Sequence, residues 1–105
     1  MPKIGYEGIG VFRTVKSGEL TGVVTATQMP DIDCRMVKFR AHNDNPTNVY
    51  IGVSGVTVED STTDVTTGFQ LDAGQETGWL LADNLNRFYR ICDADGDDLT
   101  YIALA

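Results

Sequence analysis

Between Ala41 and Asn86 the chain has no lysine or arginine, and over its whole length it has one histidine, one tryptophan and two cysteines. Each scarcity closes off a class of function. A nucleic-acid backbone binder needs clustered cations to displace counterions, and here 8 Lys and Arg stand against 15 Asp and Glu for a net charge of −7. The cations are uneven: six precede Ala41, where four acids accompany them, whereas the 41–86 stretch holds seven acids. A mildly basic first part is thus followed by an acidic remainder, which favours solubility and leaves the basic part able to dock on an acidic partner.

With His42 as the single imidazole, a Ser-His-Asp arrangement has only one candidate base, and no nucleophile-elbow pattern precedes a helix. Cys34 and Cys92 lie too far apart for zinc-ligand spacing; each sits in a strand-like run among apolar residues, so buried free thiols are the expectation, with one disulfide as the alternative in an oxidising compartment. Adjacent acids such as Glu59-Asp60 and Asp97-Asp98 sit in polar segments, where they are usually solvated rather than set across a cleft. There is no glycine-rich phosphate loop. The expectation is therefore a non-enzymatic protein without cofactors or metal. No long apolar run occurs, and Glu7 interrupts the first twelve residues, so neither a signal peptide nor a membrane span is expected.

What is present is strand chemistry punctuated by turns. Eleven glycines and few helix-forming runs predict an all-β fold, a compact antiparallel sandwich of seven or eight short strands, jelly-roll-like, behind a glycine-rich arm. Residues 1–19 are read as an N-terminal arm or edge strand and 20–105 as a single sandwich domain. In the arm, Ile4, Tyr6, Ile9, Val11, Phe12 and Val15 alternate loosely around Gly5, Gly8 and Gly10, a pattern too weak to be stable unaided. Ser17-Gly18 reads as a turn, and 20–28 as a threonine-rich strand. From Cys34 to His42 the alternation is clear: Val37, Phe39 and Ala41 face the core, while Lys38 and Arg40 share the outward face as a small basic patch.

Further along, Val49, Ile51 and Val53 are expected on a buried face with Tyr50 on the other, and 58–67 as an exposed acidic loop. Phe69 and Leu71, then Thr77, Trp79 and Leu81 after a turn at Ala73-Gly74-Gln75, form further alternating runs, with Trp79 expected in the core. Runs at 87–92 and 99–104 are joined by Asp93-Ala94-Asp95-Gly96-Asp97-Asp98. The Asp-Gly pair predicts a hairpin there, with a calcium loop as the alternative, although the glycine and glutamate positions of an EF-hand are not met.

The order of these elements carries a resemblance over about 29–104. Pro30, Cys34 and the Val37-x-Phe39-x-Ala41 run are followed by a polar turn, Val49-Tyr50-Ile51-Gly52-x-Ser54-Gly55, and Gly68-Phe69-x-Leu71-x-Ala73-Gly74. Asp83-Asn84-Leu85, Tyr89-x-Ile91 and an acidic turn before Tyr101-Ile102-Ala103-Leu104 complete it. This order resembles small virion structural proteins of tailed bacteriophages, such as head decoration or cement proteins. The resemblance implies a structural role on the assembled head, contacts with the major capsid protein or another virion protein, and self-association, expected as a homotrimer; no nucleic acid or membrane partner is expected. The expected location is the virion, after assembly in the host cytoplasm. Candidate contact residues are Tyr6, Ile9, Val11, Phe12, Lys38 and Arg40. Alternatives are a tail, fibre or adaptor subunit and, in a different class, a carbohydrate-binding module stacking sugars on Trp79, Tyr50 and Tyr101.

Overall fold

The computed structural model describes residues 13–58 and 66–105. The arm residues 1–12, and with them Tyr6, Ile9, Val11 and Phe12, lie outside the described residues, as does the 59–65 part of the acidic loop. Eight strands are described: β1 (Val15–Leu20), β2 (Thr27–Gln28), β3 (Met36–Ala41), β4 (Val49–Gly52), β5 (Phe69–Leu71), β6 (Leu80–Leu81), β7 (Tyr89–Cys92) and β8 (Leu99–Leu104). They form two four-stranded antiparallel sheets, ordered β1-β8-β3-β6 and β2-β7-β4-β5. Successive strands alternate between the sheets except for β4 and β5, which pair with each other, in the double Greek-key order of a jelly roll. The all-β sandwich read from the sequence is the fold observed.

The core lies between the sheets and follows the period of two. On β3, Val37, Phe39 and Ala41 are fully buried, and they stand opposite Ala103, Tyr101 and Leu99 on β8. From the other sheet, Val49, Ile51, Leu71 and Cys92 meet them, and Leu85 closes the end with Met29 and Cys34. Phe88 packs its ring edge-on to Phe39, centroids 5.3 Å apart, a geometry that the ring quadrupoles favour.

Several sequence expectations give way to this topology. Ser17-Gly18 is not a turn but the middle of β1, opposite Ile102 and Tyr101; Gly18 is tolerated because any Cβ there would crowd the Tyr101 ring at 3.1–3.3 Å. β1 is thereby an edge strand of the sandwich. The expected 20–28 strand splits, since the chain leaves one sheet at Leu20 and joins the other at Thr27. The expected Asp93–Asp98 hairpin is a crossover instead. β7 and β8 belong to different sheets, because the connection turns inward around Asp97, which is completely buried. Tyr50, expected on the open side of β4, is 1% exposed. Val56 covers it, and Gly68 approaches so closely that a Cβ there would lie 2.7 Å from the Tyr50 Cβ. Val53, expected inward, is exposed because β4 ends at Gly52.

Candidate interaction surface

The outer face of the β1-β8-β3-β6 sheet gathers the apolar side chains that the core leaves out. Since Val37, Phe39, Leu99 and Ala103 point inward, their neighbours Met36, Lys38, Ile102 and Leu104 point outward. Register then aligns one residue from each strand: Val15 faces Leu104, Leu104 faces Met36, and Met36 faces Leu81. The row runs across all four strands, and its two ends, Val15 and Leu81, are 64% and 73% exposed. The next row contains Ser17, Ile102 and Lys38, and the third contains Glu19, Thr100 and Arg40.

Leu81 and Trp79 reach this surface through a β-bulge. Arg40 lies opposite Glu76, yet Val37 lies opposite Leu80, so 37–40 spans four residues while 76–80 spans five. The extra residue falls at Gly78, whose φ of +77° suits glycine. Before it, the Thr77 hydroxyl accepts the Phe39 amide at 3.1 Å. After it, the inward and outward positions exchange. Leu80 turns toward the core, Leu81 turns out, and Trp79 is 43% exposed rather than a core residue. A bulge leaves no mark in hydrophobic periodicity beyond its glycine, and this is why the alternation of Thr77, Trp79 and Leu81 misleads.

Lys38 and Arg40 share the outward face, as the alternation predicts, but both are already engaged. The Lys38 ammonium lies 3.2 Å from Glu76 Oε1 and 4.8 Å from the centroid of the Trp79 ring, a cation–π geometry. The Arg40 guanidinium donates to Asn43 Oδ1 at 3.0 Å and to the Gly74 carbonyl at 3.3 Å. With Glu76, Thr100 and Ile102 these two cations border a shallow cleft of about 200 Å³. The face is therefore apolar with locally balanced charge, on a chain of net charge −7.

A second apolar feature opens at the side of the sandwich where the edge strands β5 and β6 border one another. It is a cavity of about 420 Å³ lined by Ile51, Val53, Phe69, Leu80 and Phe88, with Arg87 at its rim. Arg87 is held in a two-pronged ion pair with Asp83, at 2.8 and 3.1 Å. This hydrogen bond holds the Asp83 carboxyl below its usual range and raises the guanidinium.

The remaining sequence candidates fall elsewhere. Tyr50 is buried beneath Val56 and Tyr101 packs against the core, so neither joins Trp79 in the sugar-stacking platform considered from sequence. His42 sits at a strand end, where its Nδ1 accepts the Asp44 amide at 3.2 Å. Both cysteines are buried free thiols. The Cys34 S–H donates to the Ala82 carbonyl and the Cys92 S–H to the Asp97 carbonyl, each at 3.2 Å. The carboxylates of the 93–98 connection serve the fold: Asp97 accepts from Thr47 and Ala94, and Asp98 Oδ1 accepts the Gly22 amide at 3.1 Å. Among the described residues no three His, Cys, Asp or Glu side chains converge on a point. No protein-family model, curated protein or solved structure matches the chain.

Proposed function

We propose that the chain is a structural subunit of a tailed-phage virion, a decoration or cement protein that docks on the assembled head and stabilises it by burying surface. The observation that carries the reading is the outer face of the β1-β8-β3-β6 sheet, where Val15, Leu104, Met36 and Leu81 form an apolar row beside Trp79. An exposed, contiguous apolar surface on a small domain marks a protein interaction site. Two further supports are the order of strand and turn motifs resembling phage decoration proteins, and the jelly roll, which recurs in viral capsid domains among others. Fold alone does not assign function.

In this reading the apolar row and Trp79 supply the desolvated centre of the contact, where aromatic anchors contribute most. Lys38 and Arg40 stand at its rim and exchange Glu76, Asn43 and the Gly74 carbonyl for carboxylates of the shell, giving orientation more than affinity. Tyr6, Ile9, Val11 and Phe12 contribute a further apolar contact, and several copies assemble around a symmetry axis, three being the simplest arrangement. Immunogold labelling of purified particles, with copy number from quantitative gels, tests the assignment. Label over the heads at hundreds of copies supports decoration. Label at tails or vertices in few copies moves the chain to a fibre or adaptor role, and absence of label overturns the virion reading altogether.

A further inference from the structure

The docking surface proposed above leaves the cavity at the side of the sandwich unused. The cavity exists because the sheets end short there. β5 is three residues long and β6 two, and β4 stops at Gly52, so the edges leave the interior open between them. Ile51, Leu80 and Phe88 form its floor against the core, and the exposed Val53 and Phe69 form its lip.

The walls are held and do not fall in to fill the space. Leu80 is paired with Val37, and Ile51 with both Phe69 and Arg90. The Phe88 amide donates to the Leu85 carbonyl and its carbonyl accepts the Met29 amide, each at 3.0 Å, while its ring is braced edge-on by Phe39. A void whose lining cannot relax forfeits dispersion contacts, and a guest of the right shape restores them. At about 420 Å³ the space falls in the range of small-molecule sites, about 300–1,000 Å³.

The lining sets the chemistry of that guest. The hydroxyl of Thr77, which also borders the cavity, is already used, accepting the Phe39 amide and donating to the Gly78 carbonyl. The interior therefore offers no partner to a polar group, and burying one there without a bond costs free energy. At the rim, Arg87 is paired with Asp83 through Nε and Nη2, so the local charge is balanced. The chain as a whole carries −7 and repels anions. The ion pair does not use Arg87 Nη1, whose N–H groups suit an uncharged oxygen acceptor at the mouth.

We propose that this cavity is a binding site for an uncharged aliphatic molecule of medium chain length with an oxygen at one end, such as an alcohol, ketone or ester. The chain lies among Ile51, Phe69, Leu80 and Phe88, and the oxygen accepts from Arg87. The site is independent of the virion reading and is tested in solution without particles.

Octanol is the probe, followed by methyl NMR of the full-length protein. Shifts and intermolecular Overhauser effects are expected at the methyl groups of Ile51, Val53 and Leu80, half-complete at about 0.5 mM for a ligand of this size. Octanoate, the same chain with a charge, is expected to bind more weakly. Arg87→Met is expected to weaken octanol binding about fivefold through the lost hydrogen bond, and Val53→Trp about tenfold by filling the mouth. Shifts confined to Met36, Leu81 and Leu104 on the outer sheet face overturn the proposal, and this mapping needs no variant to fold. So do octanoate binding as tight as octanol, or octanol affinity unchanged in both variants. A dimer that octanol dissociates also overturns it, since a side chain of a second copy would then be the occupant.

Discussion

The amide and the hydroxyl of Thr47 each donate to one oxygen of the Asp97 carboxylate, so a completely buried acid is held by the loop that leads into β4. The Ala94 amide adds a third donor at 3.0 Å. Next to it, the Asn45 side chain both donates to the Asp98 carbonyl and accepts the Asp98 amide, each at 2.8 Å. These bonds lock the 42–48 and 93–98 connections together at one end of the sandwich. Asp97→Ala takes the acceptor from three part-buried donors, and the expected loss is about 2–3 kcal/mol. Asp97→Asn keeps the volume but turns an N–H toward donors and recovers only part of it. Urea unfolding measures both; a loss under about 1 kcal/mol for Asp97→Ala would show that the loops close without the carboxylate.

Gly22 tests the same end of the molecule sterically. A Cβ at this position would lie 2.6 Å from the carbonyl oxygens of both Asp95 and Asp97. These are backbone atoms, pinned by the bonds just described, and cannot rotate aside as a side-chain tip would. Gly22→Ala is expected to cost about 3 kcal/mol. Gly55→Ala is the control, since that glycine has φ +81° and open space around it, and it should cost only about 1 kcal/mol of backbone strain. Equal losses at the two positions would contradict the crowding argument.

Arg90 is the one buried cation of the sandwich interior among the described residues. Its residue surface is 8% exposed, its Nε has no hydrogen-bond partner, and Nη1 points at the Met29 sulfur 3.8 Å away. Burial pushes its guanidinium below the usual range. Among the described residues no carboxylate pairs with it; a desolvated charge without such a partner costs stability, and an apolar side chain of similar length removes that cost. Arg90→Met is therefore expected to raise the urea midpoint, by about 1 kcal/mol in stability. A fall in the midpoint would mean that the guanidinium holds a bound anion in solution.

The inward face of β3 was legible because that strand keeps strict alternation, with Val37, Phe39 and Ala41 on one side, whereas β8 gave only a strand run because Ile102 and Leu104 make its outward positions apolar too. The outward position of Lys38 and Arg40 followed from the same period. What escaped were the features set by partners distant in sequence. An Asp-Gly pair reads as a hairpin turn whether its flanking strands share a sheet or not, and only the burial of Asp97 against Thr47 shows that β7 and β8 do not pair. Tyr50 reads as half exposed until Val56 and Gly68 fold over it. The candidate surface was half visible, since its cations lie on a regular strand whereas its apolar row needs the β1-β8-β3-β6 order and the Gly78 bulge to bring Val15 and Leu81 onto one face.

The buried thiols give the chain an alkaline limit whose sign can be worked out. Burial, then the nearby carboxylates of Asp83 and Asp33, raises the Cys34 thiol above its ordinary range, and burial again leads for Cys92. A group whose pKa is raised by folding stabilises the native state fully below its unfolded pKa, about 8.5 for a thiol, and loses that contribution as pH climbs further. Between these limits the unfolded chain releases protons that the folded chain keeps, so stability is expected to hold through neutral pH and to decline above about pH 8.5. Lysine and tyrosine also titrate in alkali, so the comparison is with the double variant Cys34→Ala, Cys92→Ala. Its urea midpoint should be lower at pH 7 from lost packing, yet fall less between pH 8 and 10. Parallel declines in the two proteins would show that the thiols ionise as readily inside the sandwich as outside it, contrary to their burial and to the carbonyl hydrogen bonds that hold their protons.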